Sequence, residues 1–282
     1  MNGLKTVFLL GLMSSILLFG GRMIAGEQGL YFGLVMAIGM NFFSYFFSEK
    51  LALRMSGALP LSPTENADIY YRVAPMTERL AQRMGIPMPK LWVTPEESPN
   101  AFATGRNPNN ASVAVTVGLV RLMNDAELEG VIAHELGHIK NRDILISSIA
   151  ATIASAISFL GQMAFFFGGR RGDDEEAPNP LVAMLMFLLA PIAAMIIQMA
   201  ISRTREFSAD ATAAKYTGSP WGLISALRKL ESYAHRIPME ASPATAHMYI
   251  MKPLGGGGMM MRLFSTHPST ADRIAALERF AG

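Results

Sequence analysis

The 282-residue chain contains no cysteine, which excludes disulfides and thiolate ligands and leaves His, Asp and Glu as the side chains able to hold a metal. It is also short of charge: Asp, Glu, Lys and Arg make up 16% of the sequence, against about 25% in typical soluble domains. The formal net charge is +2, and no basic run is interleaved with aromatics, so nucleic acid is discounted as a partner. Apolar residues take the place of the missing charge, at 51% of the chain with a mean hydropathy of +0.28. That balance points to the lipid bilayer as a partner.

Four uncharged runs carry the excess. They extend over Thr6–Gly21, Gln28–Ser48, Ile144–Gly169 and Ala177–Ser202, which counted inclusively are 16, 21, 26 and 26 residues; a spanning helix needs about 20. The first is short enough to be the apolar part of a secretory signal. Gly20-Gly21-Arg22-Met23-Ile24-Ala25 offers no convincing cleavage site, and Lys5 and Arg22 can snorkel, so an uncleaved anchor is the reading. The third and fourth runs would otherwise be buried helices of a large soluble core, which their charge-free length disfavours. Basic residues near the ends of the runs set the orientation. Lys5, Lys50, Arg54, Lys140, Arg142, Arg203 and Arg205 fall on one side, against Arg22, Arg170 and Arg171 on the other. Seven against three places both termini in the cytoplasm. The acidic loop Asp173-Asp174-Glu175-Glu176 reads as a solvated charge run.

Val131-Ile132-Ala133-His134-Glu135-Leu136-Gly137-His138 contains H-E-x-x-H. On a helix, residues four apart stand one turn above each other, so both imidazoles can reach one ion with Glu135 beside it as general base. Asn124 and Glu127 have the spacing of a capping box, and Leu128, Val131, Ile132, Leu136 and Ile139 form an apolar stripe. Catalytic zinc usually takes three protein ligands. A third histidine in the extended motif would need to stand where Ile144 is, and the carboxylates next after Asp143 are those of the acidic loop. Glu206 is therefore the third candidate ligand. Asp210, on the same helical face, would accept the free N–H of a ligating histidine. Arg203 stands one turn before Glu206, and an ordinary surface pair of these two is the bland alternative. His138 lies six residues before the third run and Glu206 four after the fourth, offsets of about 9 and 6 Å at 1.5 Å per residue. Both ligands are then expected at one depth. His235 and His247 show no ligand spacing.

In its four apolar runs, in A-H-E-L-G-H-I at 133–139 and in R-x-x-E-F-x-A-D at 203–210, the chain resembles the HtpX family of bacterial membrane-bound zinc metallopeptidases, relatives of the CAAX prenyl-proteases. The resemblance covers nearly the whole chain. It implies a mainly α membrane protein with four transmembrane helices and a cytoplasmic α+β zincin-like catalytic domain of the gluzincin type, with a small β-hairpin or sheet. It further implies one zinc ion, an endopeptidase of the cytoplasmic (inner) membrane acting on misfolded membrane proteins or unfolded polypeptides, and cooperation with an ATP-dependent membrane protease. The organisation expected is a membrane hairpin at 1–48, a first catalytic part at 49–143, a second hairpin at 144–202 and a second catalytic part at 203–282.

Ser98–Thr104 and Ser112–Val117 read as strands flanking the turn-rich Arg106-Asn107-Pro108-Asn109-Asn110. In the resembled family the N-A-F segment is an edge strand that pairs with extended substrate, which makes Asn100, Ala101 and Phe102 substrate-binding candidates; an ordinary structural hairpin is the alternative. Ser265-Thr266-His267-Pro268 resembles the family's S-T-H-P motif. His267 either donates to a developing oxyanion or merely starts the last helix. Gly255–Gly258 is flexible by composition, as a flap or as plain disorder. Lys140, Arg142 and Asp143 directly after the motif argue against chemistry inside the bilayer. A non-catalytic scaffold with a structural ion would normally fill all four coordination positions.

Overall fold

The computed structural model describes residues 2–144, 157, 204–236 and 268–280. The third and fourth apolar runs apart from residues 144 and 157, the acidic loop, Arg203, His247, the glycine run, His267 and the His235 side chain lie outside the described residues. The chain forms two compact units, one of Met1–Phe47 with Leu145–Ile201 and one of Ser48–Ile144 with Ser202–Gly282.

The helical segment α1 (Asn2–Met55), which belongs to the first unit as far as Phe47, reverses there at Gly26, which takes a left-handed φ of 57°. Asn41 Nδ2 donates to Ser14 Oγ at 3.0 Å. In a straight helix, 27 residues would separate the two by about 40 Å, so the chain doubles back. Leu9, Met13, Leu17 and Ala37 are buried between the two arms. The segment Gly26–Phe47, 22 residues with mean hydropathy 1.6, is long and apolar enough to cross a membrane; Val7–Arg22 is apolar but shorter.

The second unit is built on a four-stranded mixed sheet in the order β1-β2-β4-β3, with β1 at Leu59–Pro60, β2 at Lys90–Thr94, β3 at Ala101–Asn107 and β4 at Asn110–Thr116. β2 and β4 are parallel; the other pairs are antiparallel. The expected hairpin is present with a tighter turn than its sequence suggests. The strands run through Arg106 and Asn107, because the Asn107 side chain closes the turn by accepting the Asn110 N–H at 3.0 Å. β3 is an edge of the sheet.

Strand alternation gives the sheet two faces. Val93, Ala101, Val113 and Val115 enter the main core with helix α4 (Asp125–Asn141), while Trp92, Phe102 and Ala114 pack on the opposite face with Leu53. Helices α2 (Ala67–Met84) and α3 (Val117–Leu122) complete the core around α4. The N-terminus of α4 is fixed as its sequence predicts: Asn124 Oδ1 accepts the Glu127 N–H at 3.0 Å, and Glu127 Oε2 accepts the Asn124 N–H at 2.8 Å. Leu128, Val131, Ile132, Leu136 and Ile139 are all buried, each contributing roughly 1.5–3 kcal/mol. Two close approaches then bring other helices onto α4. A Cβ at Gly137 would lie 3.2 Å from Ala209 on α5 (204–217), and one at Gly130 would lie 2.7 Å from the Leu223 backbone on α6 (Trp221–Arg236). The last described helix is α7 (Thr270–Glu278).

Candidate metal centre

One turn of α4 separates His134 from His138, and their Nε2 atoms face each other at 3.2 Å with the rings nearly perpendicular. The approach of α5 at Gly137 brings in Glu206, with Oε2 3.6 Å from His134 Nε2 and Oε1 3.5 Å from His138 Nε2. One ligand atom from each of the three residues lies within 4.8 Å of the others. The opposite ring nitrogens are engaged elsewhere, since His134 Nδ1 is 2.9 Å from Asp210 Oδ1 and His138 Nδ1 is 3.3 Å from Asp143 Oδ2. Carboxylates accept, so each Nδ1 carries the proton and each Nε2 presents a lone pair.

Two lone pairs and a carboxylate directed at one point repel unless a cation lies among them. A proton partly serves: burial and the Arg273 charge push the His134 pKa down, but the Asp210 and Glu206 carboxylates outweigh both and raise it to about 9. A divalent ion supplies more positive charge in the same place, and two imidazoles with one carboxylate are a donor set suited to zinc. The residues present fit a metal ion.

The ligands are held from behind by charge. Arg273 of α7, only 2% exposed, grips Asp210 with two bonds, Nε to Oδ2 at 2.8 Å and Nη2 to Oδ1 at 2.7 Å. Burial disfavours charge on both groups, yet each ion stabilises the other, so Asp210 titrates below and Arg273 above its ordinary value. Nη2 also lies 3.4 and 3.5 Å from the two ring nitrogens of His134, stacked over the imidazole. Behind His138, Arg142 ends α4 in the left-handed conformation at φ 59°, alone among the described non-glycine residues. That turn folds Asp143 back toward the ring, and Arg205 Nη1 secures it by donating to the Asp143 carbonyl at 2.7 Å.

Glu135 is 4% exposed. Burial raises its pKa, and the charges of His134 and His138 oppose this, helped by the backbone N–H of Ala103 on β3. A carboxylate kept readily protonated beside two imidazoles suits a group that takes up and returns a proton. Asn100 is bonded both ways to Thr116, its carbonyl accepting the Thr116 N–H and its own N–H donating to Thr116 Oγ1, each at 2.9 Å. By alternation Phe102 also directs its backbone to β4, and Ala101 and Ala103 direct theirs outward. Of the three residues expected at a substrate edge, Ala101 alone therefore offers outward main-chain groups. The Phe102 side chain is buried against Leu53 and Ala114.

Arg203 and His267 lie outside the described residues. Ser269, the N-cap of α7, accepts the Asp272 N–H at 3.1 Å, so capping of that helix does not require His267. Sequence reasoning missed Arg273, Asp143 and Ala103. Arg273 left a signal: Thr270, Arg273 and Leu277 occupy one buried face, and an arginine on such a face demands a buried acid.

A profile of Peptidase family M48 matches residues 70–281. The Protease HtpX homolog of Thermodesulfovibrio yellowstonii is 53% identical over 284 residues, covering 100% of this chain and 99% of that protein. That of Desulfatibacillum aliphaticivorans is 52% identical over 280 residues, covering 98% of this chain and 89% of that protein. In structure the chain is similar to S. mikatae Ste24p, with a TM-score of 0.54 at 22% identity over 95% of this chain, which spans 62% of that protein's length.

Proposed function

Because the chain belongs to Peptidase family M48 and is a metallopeptidase, we propose that it is a zinc-dependent endopeptidase of the cytoplasmic membrane that hydrolyses misfolded or damaged membrane proteins from the cytosolic side. The observation that carries this reading is the convergence of His134, His138 and Glu206, with ligand atoms inside 4.8 Å, beside the buried carboxylate of Glu135.

His134, His138 and Glu206 are the residues that would hold the ion, oriented by Asp210 and Asp143. When bound, zinc polarises the scissile carbonyl and lowers the pKa of a bound water from about 15.7 to about 7. Glu135 accepts the proton released by the attacking water, and burial keeps it basic enough to hold that proton. The same oxygen returns it to the departing amine nitrogen, so Glu135 ends the cycle as it began. Ala101 and Ala103 on the β3 edge recognise an extended chain through main-chain hydrogen bonds, which demand no particular side-chain sequence. His267 is the proposed donor to the oxyanion, and Arg203 the proposed companion of Glu206.

Four spans with both termini in the cytoplasm follow from the apolar runs and the seven-to-three distribution of basic residues. The substrates and the cooperation with an ATP-dependent membrane protease are inferred from the family resemblance.

The test uses the full-length protein in detergent with an unfolded polypeptide as substrate. One zinc per chain is expected by metal analysis, and chelation should abolish cleavage. Glu135→Gln should keep the zinc and lose about 10³-fold in kcat, within the span of general-base effects. A Glu135→Gln protein that cleaves normally would overturn the mechanism.

A further inference from the structure

The sheet face turned away from α4 carries contacts that the peptidase reading does not use. The final turns of α1, from Ser48 onward, belong to the same unit as the sheet. There Glu49 Oε1 accepts the hydroxyl of Ser112 at 2.8 Å, and Ser112 Oγ accepts the indole N–H of Trp92 at 3.0 Å. Ser112 is fully buried. Lys90 Nζ lies 3.5 Å from Glu49 but is largely exposed, and contributes little. One turn further, Leu53 joins Phe102, Ala114 and Trp92 in an apolar cluster. Two chemically different tethers thus fasten one helix end to one sheet face.

Their points of attachment give them a consequence for the site. Ser112 is the cross-strand partner of Thr104, and Ala114 that of Phe102. The polar tether and the apolar tether therefore bracket Ala103, which packs against the core that holds α4. Within the sheet β3 is hydrogen-bonded on its β4 side alone, so its position relative to α4 depends on what supports the hairpin from below. A shift of about 1 Å in such a support is enough to cost on the order of 10²-fold in rate or binding.

We propose that Glu49 is a positioning residue for the substrate-pairing edge: acting through Ser112 and Trp92, and together with the Leu53–Phe102 contact, it sets the height of β3 so that an extended chain docked on Ala101 and Ala103 lies in register with Glu135. This rests on the reading of β3 as the substrate edge given above. Phe102 acts from beneath the strand, as an anchor, without touching substrate. Glu49 takes no part in proton transfer or metal binding.

The test uses full-length protein in detergent, with β-casein as an unfolded probe. Glu49→Ala is expected to raise KM about tenfold, equivalent to about 1.4 kcal/mol and within the range for the net worth of one hydrogen bond, with kcat within about threefold and bound metal unchanged. Glu49→Gln keeps an oxygen acceptor for Ser112 and should bring KM back to within about threefold of wild type. A merely structural residue would lower the amount of metal-loaded enzyme at constant KM, and that result, or failure of Glu49→Gln to rescue, overturns the proposal. Ser112→Ala breaks the chain from the strand side and covers the case in which Glu49→Ala does not fold. In Ser112→Ala, amide exchange at 101–105 should accelerate at least about tenfold while that of 131–136 stays as in wild type. Unchanged exchange together with unchanged KM overturns the proposal by itself. Faster exchange with unchanged KM overturns it at the substrate edge, leaving zinc binding and Glu135 chemistry intact.

Discussion

The α1 hairpin and the metal centre both hold two helices in close contact, and they do it by opposite means. In the hairpin the contact is backbone-close and nearly free of charge. A Cβ at Gly33 would overlap the Leu17 carbonyl oxygen and one at Gly21 that of Gly29, and a side-chain hydrogen bond joins Asn41 to Ser14. At the metal centre Gly137 also brings α5 close to α4, a Cβ there lying 3.2 Å from Ala209, but the groups facing inward are His134, Glu135, Glu206, Asp210 and Arg273, all buried. A contact held by shape fails when an atom is added. A contact held by charge fails when one partner is taken away, because the other remains buried and uncompensated.

The sharpest way to break that contrast is at Arg273. Replacing it with alanine leaves Asp210 buried without its two bonds and is expected to cost about 3–5 kcal/mol of stability, together with most of the bound metal. Denaturant unfolding with metal analysis measures both. Arg273→Lys should recover part of the loss, since an ammonium supplies charge but not the paired geometry of a guanidinium. An Arg273→Ala protein with an unchanged unfolding midpoint would remove charge as the organising force of the site.

The hairpin should respond to addition instead. Gly33→Leu forces the arms apart and is expected to cost about 1–3 kcal/mol as an overpacked contact. The absence of native cysteine supplies the assay. A Ser14→Cys, Asn41→Cys pair should crosslink efficiently in an otherwise unaltered chain and poorly once Gly33→Leu is added. Gly39→Leu is the control, because a Cβ there meets nothing within 4 Å. Equal crosslinking in both backgrounds would show that the arms are not held by close fit.

The same division explains what the sequence disclosed. Helix α4 was legible because its determinants are local: the Asn124–Glu127 box lies within one turn, and the apolar stripe repeats along the helix. Glu206 was reached by excluding nearer carboxylates and by its spacing with Asp210. The hairpin was legible in kind but displaced in its bounds, since Arg106 and Asn107 look like turn residues until the Asn107 side chain is seen closing the turn. The sheet order β1-β2-β4-β3 was hidden, because β2 joins β4 past the intervening strand β3 and pairing at that distance leaves no local pattern. Asp143 was hidden too, since its approach to His138 depends on the left-handed turn at Arg142. Alternation assigns Phe102 and Ala103 to opposite faces, but it does not say that the end of α1 covers the first of them.

The smallest of these effects separates charge from burial within α4 itself. Glu127 is 2% exposed, accepts Ser225 Oγ at 2.7 Å and pairs with Lys229 Nζ at 2.7 Å, tying α4 to α6 well away from the metal ligands. Burial pushes its pKa up, but the bonds from Lys229, Ser225 and the Asn124 amide outweigh burial and hold it below the ordinary 4.5. A depressed folded pKa means that the unfolded chain binds the proton more readily, so the stabilisation is complete above 4.5 and is lost as pH falls through the folded value. Glu127→Gln keeps the shape and removes the charge, and should cost about 1–2 kcal/mol at pH 7. Denaturation curves taken from pH 7 downward should converge for variant and wild type on the acid side. A gap that persists at low pH would mean that Glu127 ties the helices through packing, and the rule of charge would then be confined to the metal centre.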